Sequence, residues 1–217
     1  MTSLATLPTA TQRLVAEGLG TFFLVIVALL SPSGTTFALV GLMLAAMVVA
    51  IGKVSGSQIN PAVTTSLIVS GQVPLNVGLM NMVAQVIGAV VAIFLAVGIR
   101  GSLSMTAVHV EHKGWFWLVE FLGTFLFAFT VNRAVISKAP TGAAAFAIGV
   151  ALAIAIAIAG ASSGGVINPA IAISLMADGA LDFGSGLLYI VAPLIGGALA
   201  GALARYLSTP AELRGEG

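Results

Sequence analysis

Two copies of one tripeptide carry most of the chemistry open to this chain. Asn60-Pro61-Ala62 recurs as Asn168-Pro169-Ala170, 108 positions on (60 to 168). Proline suits the first helical position and a preceding Asn caps the helix, so each box predicts a helix N-terminus. A capping Asn keeps an amide to donate, and a water or hydroxyl oxygen can take it. Glu17 and Glu120 stand out next, as the carboxylates deep within apolar stretches. An acid there implies either a proton or cation site or a brace for irregular backbone. Bracing is the favoured reading.

The elements that must position these residues lie in lipid. Of 217 residues, 59% are hydrophobic and 7% charged, and mean hydropathy is +1.14. Soluble domains carry about 25% charged residues to present a wet surface. The net charge of +1 gives no reason to expect a nucleic-acid partner. Zero cysteines exclude disulfides, thiolate catalysis and thiolate metal sites. Residues 1–12 are polar and lack a basic signal-peptide start, so the first apolar stretch is expected to stay as a membrane span.

About 20 apolar residues cross the hydrocarbon core as a helix. Six stretches meet this approximately: Leu14–Leu30, Thr36–Ile51, Val77–Ile99, Trp115–Ile136, Ala143–Gly160 and Phe183–Leu207. Pro61–Val69 and Pro169–Met176 are apolar but too short, and each opens on a box after a Gly/Ser-rich loop. About ten helical residues rise roughly 15 Å, half the membrane, so both are expected to be re-entrant half-helices.

The chain repeats itself in order. Ala16-Glu17-Gly18-Leu19-Gly20-Thr21-Phe22-Phe23 matches Val119-Glu120-Phe121-Leu122-Gly123-Thr124-Phe125-Leu126, and Val83-Ala84-Gln85-Val86-Ile87-Gly88 matches Val191-Ala192-Pro193-Leu194-Ile195-Gly196. Each copy (about 12–100 and 114–207 of a single domain) holds three spans, an odd number, so the second copy runs inverted. The expected fold class is all-α: six transmembrane helices plus two half-helices in an inverted 3+3 repeat. With the N-terminus inside, Arg13, Lys53, Arg133, Lys138, Arg205 and Arg214 lie cytoplasmic against Arg100 and Lys113 outside. Both termini are thus expected in the cytoplasm.

The paired boxes, Glu-x-x-Gly-Thr-Phe in the first and fourth spans, Ser55-Gly56, Gly88 and Gly196 resemble the major intrinsic protein family of aquaporins and glycerol facilitators. The resemblance covers nearly the whole chain and implies a homotetramer with one pore per subunit. It implies passage of water and small neutral solutes, and no cofactor. It also sets Glu17 and Glu120 against the loops before the half-helices. Each half-helix carries roughly +0.5 charge at its N-terminus. Together they oppose a cation at ~4 Å by about 4 kcal/mol at an effective dielectric of ~20. The loops Ser55–Ile59 and Ser162–Ile167 are expected to line the vestibules with backbone carbonyls.

The sequence departs from the family where substrate is decided. Members generally carry Arg after the second box; here stands Ile171. By family alignment the outer filter is Val40, Ile156, Gly165 and Ile171, a wide and apolar ring. That favours glycerol, urea or undissociated metalloid hydroxides such as arsenous acid, and resembles bacterial aquaglyceroporin-like channels lacking this Arg. A bacterial inner membrane is the location implied. The alternatives are a water-dominated aquaporin, or a proton-coupled transporter using Glu17 or Glu120. No hydrolytic or metal constellation within the spans suggests an enzyme. His109 and His112, near Glu111 in the outer connection, are read as solvated rather than metal-binding.

Overall fold

The computed structural model describes residues 7–32, 34–101 and 115–216, and among these every element is helical. The six long helices are α1 (Ala10–Leu30), α2 (Thr36–Ser55), α4 (Leu75–Arg100), α5 (Phe116–Ile136), α6 (Thr141–Ser163) and α8 (Phe183–Tyr206). Each is long and apolar enough to cross a bilayer. Between them lie the nine-residue α3 (Pro61–Val69) and α7 (Pro169–Ala177), and a short α9 (Pro210–Arg214) ends the chain. His109, Glu111, His112 and Lys113 lie outside the described residues.

Several boundaries move from the sequence reading for local reasons. A capping box, Thr9 with Gln12, starts α1 four residues before Leu14. Ser55, Ser162 and Ser163, expected in loops, instead complete α2 and α6. Those helices run on until Gly56 (φ 91°) and Gly164 (φ 82°) provide left-handed caps. The terminal helix α9 was not expected; a Thr209–Glu212 capping box nucleates it.

The packing repeats with two-fold logic. α1 pairs with α4 as α5 does with α8, and α1 with α2 as α5 does with α6. Half-helix α3 leans on α8 of the other repeat, while α7 leans on α4. α2 crosses α6 on the axis at Gly41 and Gly149. A Cβ on Gly41 would lie 2.5 Å from the Gly149 carbonyl oxygen, and one on Gly149 2.6 Å from that of Gly41. Only glycine permits that approach, in a setting where small residues replace the hydrophobic effect as the helix-packing device. Large apolar side chains face outward instead, among them Val83, Ile87, Val91 and Phe94 on α4 and Leu187, Val191, Ile195 and Leu199 on α8.

Candidate functional site

The two half-helices meet N-terminus to N-terminus. Asn60 Oδ1 accepts the Ala62 N–H at 2.8 Å, and Asn168 Oδ1 accepts that of Ala170 at 3.0 Å, so both Asn are N-caps. Pro61 and Pro169 fill the first helical positions, and Ala62 and Ala170 are fully buried. The free amides cross between the repeats: Asn60 Nδ2 donates to the Ile167 carbonyl at 2.9 Å, and Asn168 Nδ2 donates to the Ile59 carbonyl at 3.1 Å. Each Asn therefore caps its own half-helix and holds the loop leading to the other.

Those loops are strained. Ile59 (φ 39°) and Ile167 (φ 52°) are β-branched residues in left-handed backbone, a conformation they adopt only when their surroundings impose it. The carboxylates impose it here. Glu17 Oε1 and Oε2 accept the N–H groups of Gln58 (3.0 Å) and Ile59 (2.7 Å). Glu120 does the same for Val166 (2.9 Å) and Ile167 (2.6 Å). Both acids are completely buried, and charge-assisted bonds to backbone N–H are what such a group needs there. Each strained Ile is thus held at its N–H by a Glu and at its carbonyl by an Asn.

Further side chains complete the braces, and Thr64, Asn81, Asn132 and Tyr189 among them were not singled out from the sequence. Gln85 Nε2 donates to Glu17 Oε2 (2.7 Å) and Thr64 Oγ1 (3.0 Å), while Thr64 Oγ1 and Asn81 Nδ2 donate to Gln58 Oε1 (2.8 and 3.2 Å). In the second repeat Ser163 Oγ donates to Glu120 Oε1 at 2.5 Å, and the Tyr189 hydroxyl donates to the Ser163 carbonyl. Asn132 Nδ2 ties α5 to Ser66 of α3 at 2.7 Å. One signal was available: Asn81, Gln85 and Asn132 are amides in apolar spans, and a buried amide must find partners.

Two cavities lie along the half-helices, and the larger one reaches the boxes. One of about 570 Å³ is lined by Val40, Ile156, Gly165 and Ile171 together with Asn60 and Asn168. Val40 and Gly165 are buried, and Ile156 and Ile171 are half-buried. A Cβ on Gly165 (φ +67°) would lie 2.9 Å from the Ile156 carbonyl oxygen, so that position excludes larger residues. The second cavity, about 330 Å³, lies towards Lys53 and Lys138. Leu44, Gln58 and Phe127 border both cavities. Phe127 and Leu44 were not anticipated, because an apolar residue in an apolar span gives no signal. Among the described residues no group of three His, Cys, Asp or Glu could hold a metal.

A fold of six spans around two opposed half-helices is that of a membrane channel family, and comparison with known proteins agrees. The family profile for "Major intrinsic protein" matches residues 4–116 and 107–216. Aquaporin AqpM of Methanothermobacter thermautotrophicus is 31% identical over 241 residues, covering 92% of this chain and 98% of that protein. Aquaporin Z of Bradyrhizobium diazoefficiens is 32% identical over 183 residues, covering 77% of this chain and 76% of its own. Mouse Aquaporin-4 is 33% identical over 181 residues, 78% of this chain, and the match spans about half of that protein's length (55%). An aquaglyceroporin from Plasmodium falciparum shares the fold, with a TM-score of 0.72 over 94% of this chain and 99% of its own at 20% identity. The chain belongs to the major intrinsic protein family, an integral membrane family of channels rather than enzymes.

Proposed function

We propose that the chain is a passive channel for water and small uncharged solutes, with its path running through the two cavities and past the Leu44, Gln58 and Phe127 side chains that border both. One observation carries the reading: a single cavity wall holds both box asparagines and all four outer positions, Val40, Ile156, Gly165 and Ile171. Asn60 and Asn168, with Pro61, Ala62, Pro169 and Ala170 shaping the half-helix starts, mark the pore centre. There two positive helix ends oppose cations, while amide donors suit a passing oxygen.

The outer filter is apolar and carries no Arg at Ile171. It returns few hydrogen bonds to a stripped water and leaves room for glycerol, urea or arsenous acid. Glu17 and Glu120 serve as braces in this reading. Their oxygens are committed to loop N–H groups, which speaks against a coupling proton. A homotetramer in a bacterial inner membrane is the expected setting. Arg133 and Arg214 on or beside α9, and Lys53 and Lys138 at the smaller cavity, gather at one end, which the positive-inside rule assigns to the cytoplasm.

Stopped-flow light scattering on proteoliposomes decides the matter, with water, glycerol, urea and arsenite as solutes and with and without a pH gradient. Downhill flux of neutral solutes above empty liposomes is expected. Uphill accumulation driven by protons refutes the proposal.

A further inference from the structure

The larger cavity has one formally charged residue in its wall among those described, Arg100. Arg100 is the last residue of α4. Its Nη2 donates to the Leu30 carbonyl at 2.8 Å, the final residue of α1, whose last turn has no basic residue of its own. A cation at a helix C-terminus satisfies an open carbonyl and the negative end of the dipole, so this bond anchors the exposed Arg100 side chain beside the cavity. Leu29, Thr36 and Phe37 line the cavity with it, and no Asp or Glu lines either cavity among the described residues. The remaining polar side chains of the larger wall are Thr36, Gln58, Asn60 and Asn168; the rest is apolar or glycine.

We infer that Arg100 is a specificity-determining residue at the outer mouth, a fixed cation that rejects positively charged solutes while leaving neutral ones free to enter. The inference rests on the channel reading above. A charge beside a cleft with low-dielectric walls has its field focused into the cleft, with effects on local ion concentration of about 10- to 1,000-fold. Ile171 supplies no charge deeper in, so the mouth is where this wall discriminates by sign before the half-helix dipoles are reached. One of the five guanidinium donors is given to Leu30, and among the described residues the others meet no partner, so they can donate to a carbonyl or hydroxyl oxygen on a neutral solute.

Urea and guanidinium form the test pair, because they share a planar shape and differ in charge. The full chain is reconstituted in phosphatidylcholine liposomes, and influx of each is measured with water flux in the same vesicles. Wild type should pass urea and hold guanidinium near the empty-liposome rate. R100Q should raise the guanidinium-to-urea ratio about tenfold, the low end of that field effect, and R100K should restore it. Raising ionic strength from about 10 mM to about 500 mM shortens the Debye length from ~30 Å to under 5 Å, so the wild-type ratio should rise and the R100Q ratio should not. A ratio in R100Q within twofold of wild type overturns the assignment. If R100Q does not fold, the wild-type salt series decides: a flat series also overturns it. Wild type that passes neither urea nor water defeats the channel reading and this inference with it, whereas neutral flux with an unchanged ratio defeats this inference alone.

Discussion

Asn60 donates its side-chain amide to the carbonyl of Ile167, 2.9 Å away and 107 residues distant in sequence. The repeat returns the bond, with Asn168 reaching Ile59. These two bonds join the tips of α3 and α7, so the meeting of the half-helices depends on groups that are also their caps.

Replacing Asn60 with Asp separates capping from crossing. Aspartate caps a helix as well as asparagine does, so Ala62 keeps its acceptor. The Nδ2 donor to Ile167 is lost, and a carboxylate enters the ring of positive helix ends. Fluorescence-monitored proton leak in proteoliposomes should rise about tenfold or more, the factor for some 1.4 kcal/mol of lost barrier. A leak equal to that of wild type would place the proton barrier elsewhere.

Ile171 faces the larger cavity beside Val40, Ile156 and Gly165. Ile171→Arg adds a fixed cation and bulk at that ring, so glycerol and urea permeability should fall about tenfold relative to water, as for an interaction of roughly 1.4 kcal/mol. Unaltered solute selectivity in stopped-flow traces would show that these four residues are not the filter.

Glu120→Gln keeps the shape of the side chain and turns one acceptor into a donor. It then confronts the N–H of Val166 or Ile167, or the Ser163 hydroxyl, with an NH₂ group. Losing charged acceptors to buried donors costs on the order of 2–4 kcal/mol. The expected result is a thermal unfolding midpoint lowered by several degrees in detergent. The flux should also show no dependence on a pH gradient, in wild type or variant. A variant as stable as wild type would remove Glu120 from the bracing role.

The end of the chain offers a pH test outside the membrane. Arg133 Nη2 meets Glu212 Oε1 at 2.8 Å, Arg133 Nη1 meets Ser208 Oγ at 2.5 Å, and Lys138 donates to the Gly215 carbonyl. The Thr209 N–H and then the Arg133 guanidinium hold the Glu212 carboxyl below its ordinary 4.5. A lowered carboxylate stabilises the folded latch above its unfolded value and loses that contribution as pH falls through the folded one. Hydrogen-exchange protection over 212–216, corrected for intrinsic rate, should therefore hold from about pH 8 to about pH 5 and fall towards about pH 3. E212Q should show the weakened protection already at neutral pH, and equal protection in both forms would dismiss the ion pair as the tether.

The spans, the two half-helices and their inversion were legible in the sequence, because lipid leaves few alternatives. Apolar length, proline after a capping Asn and an odd number of spans per repeat are each local properties or simple counts. The departure at Ile171 was legible for the same reason, being one position in a register set by the boxes. The partners of Glu17 and Glu120 were legible only as loops, without the atoms they hold. What tertiary structure alone decided were relations between distant segments: the exchange of Asn60 and Asn168 across the axis, and Gln85 closing on both Glu17 and Thr64. The placing of Leu44 and Phe127 on the wall of both cavities, and Arg100 brought to the cavity wall by the end of α1, belong with them. Periodicity says which face of a helix is apolar; when nearly every face is apolar, it cannot say which turns toward a lumen. Only the packing of one helix on another chooses that.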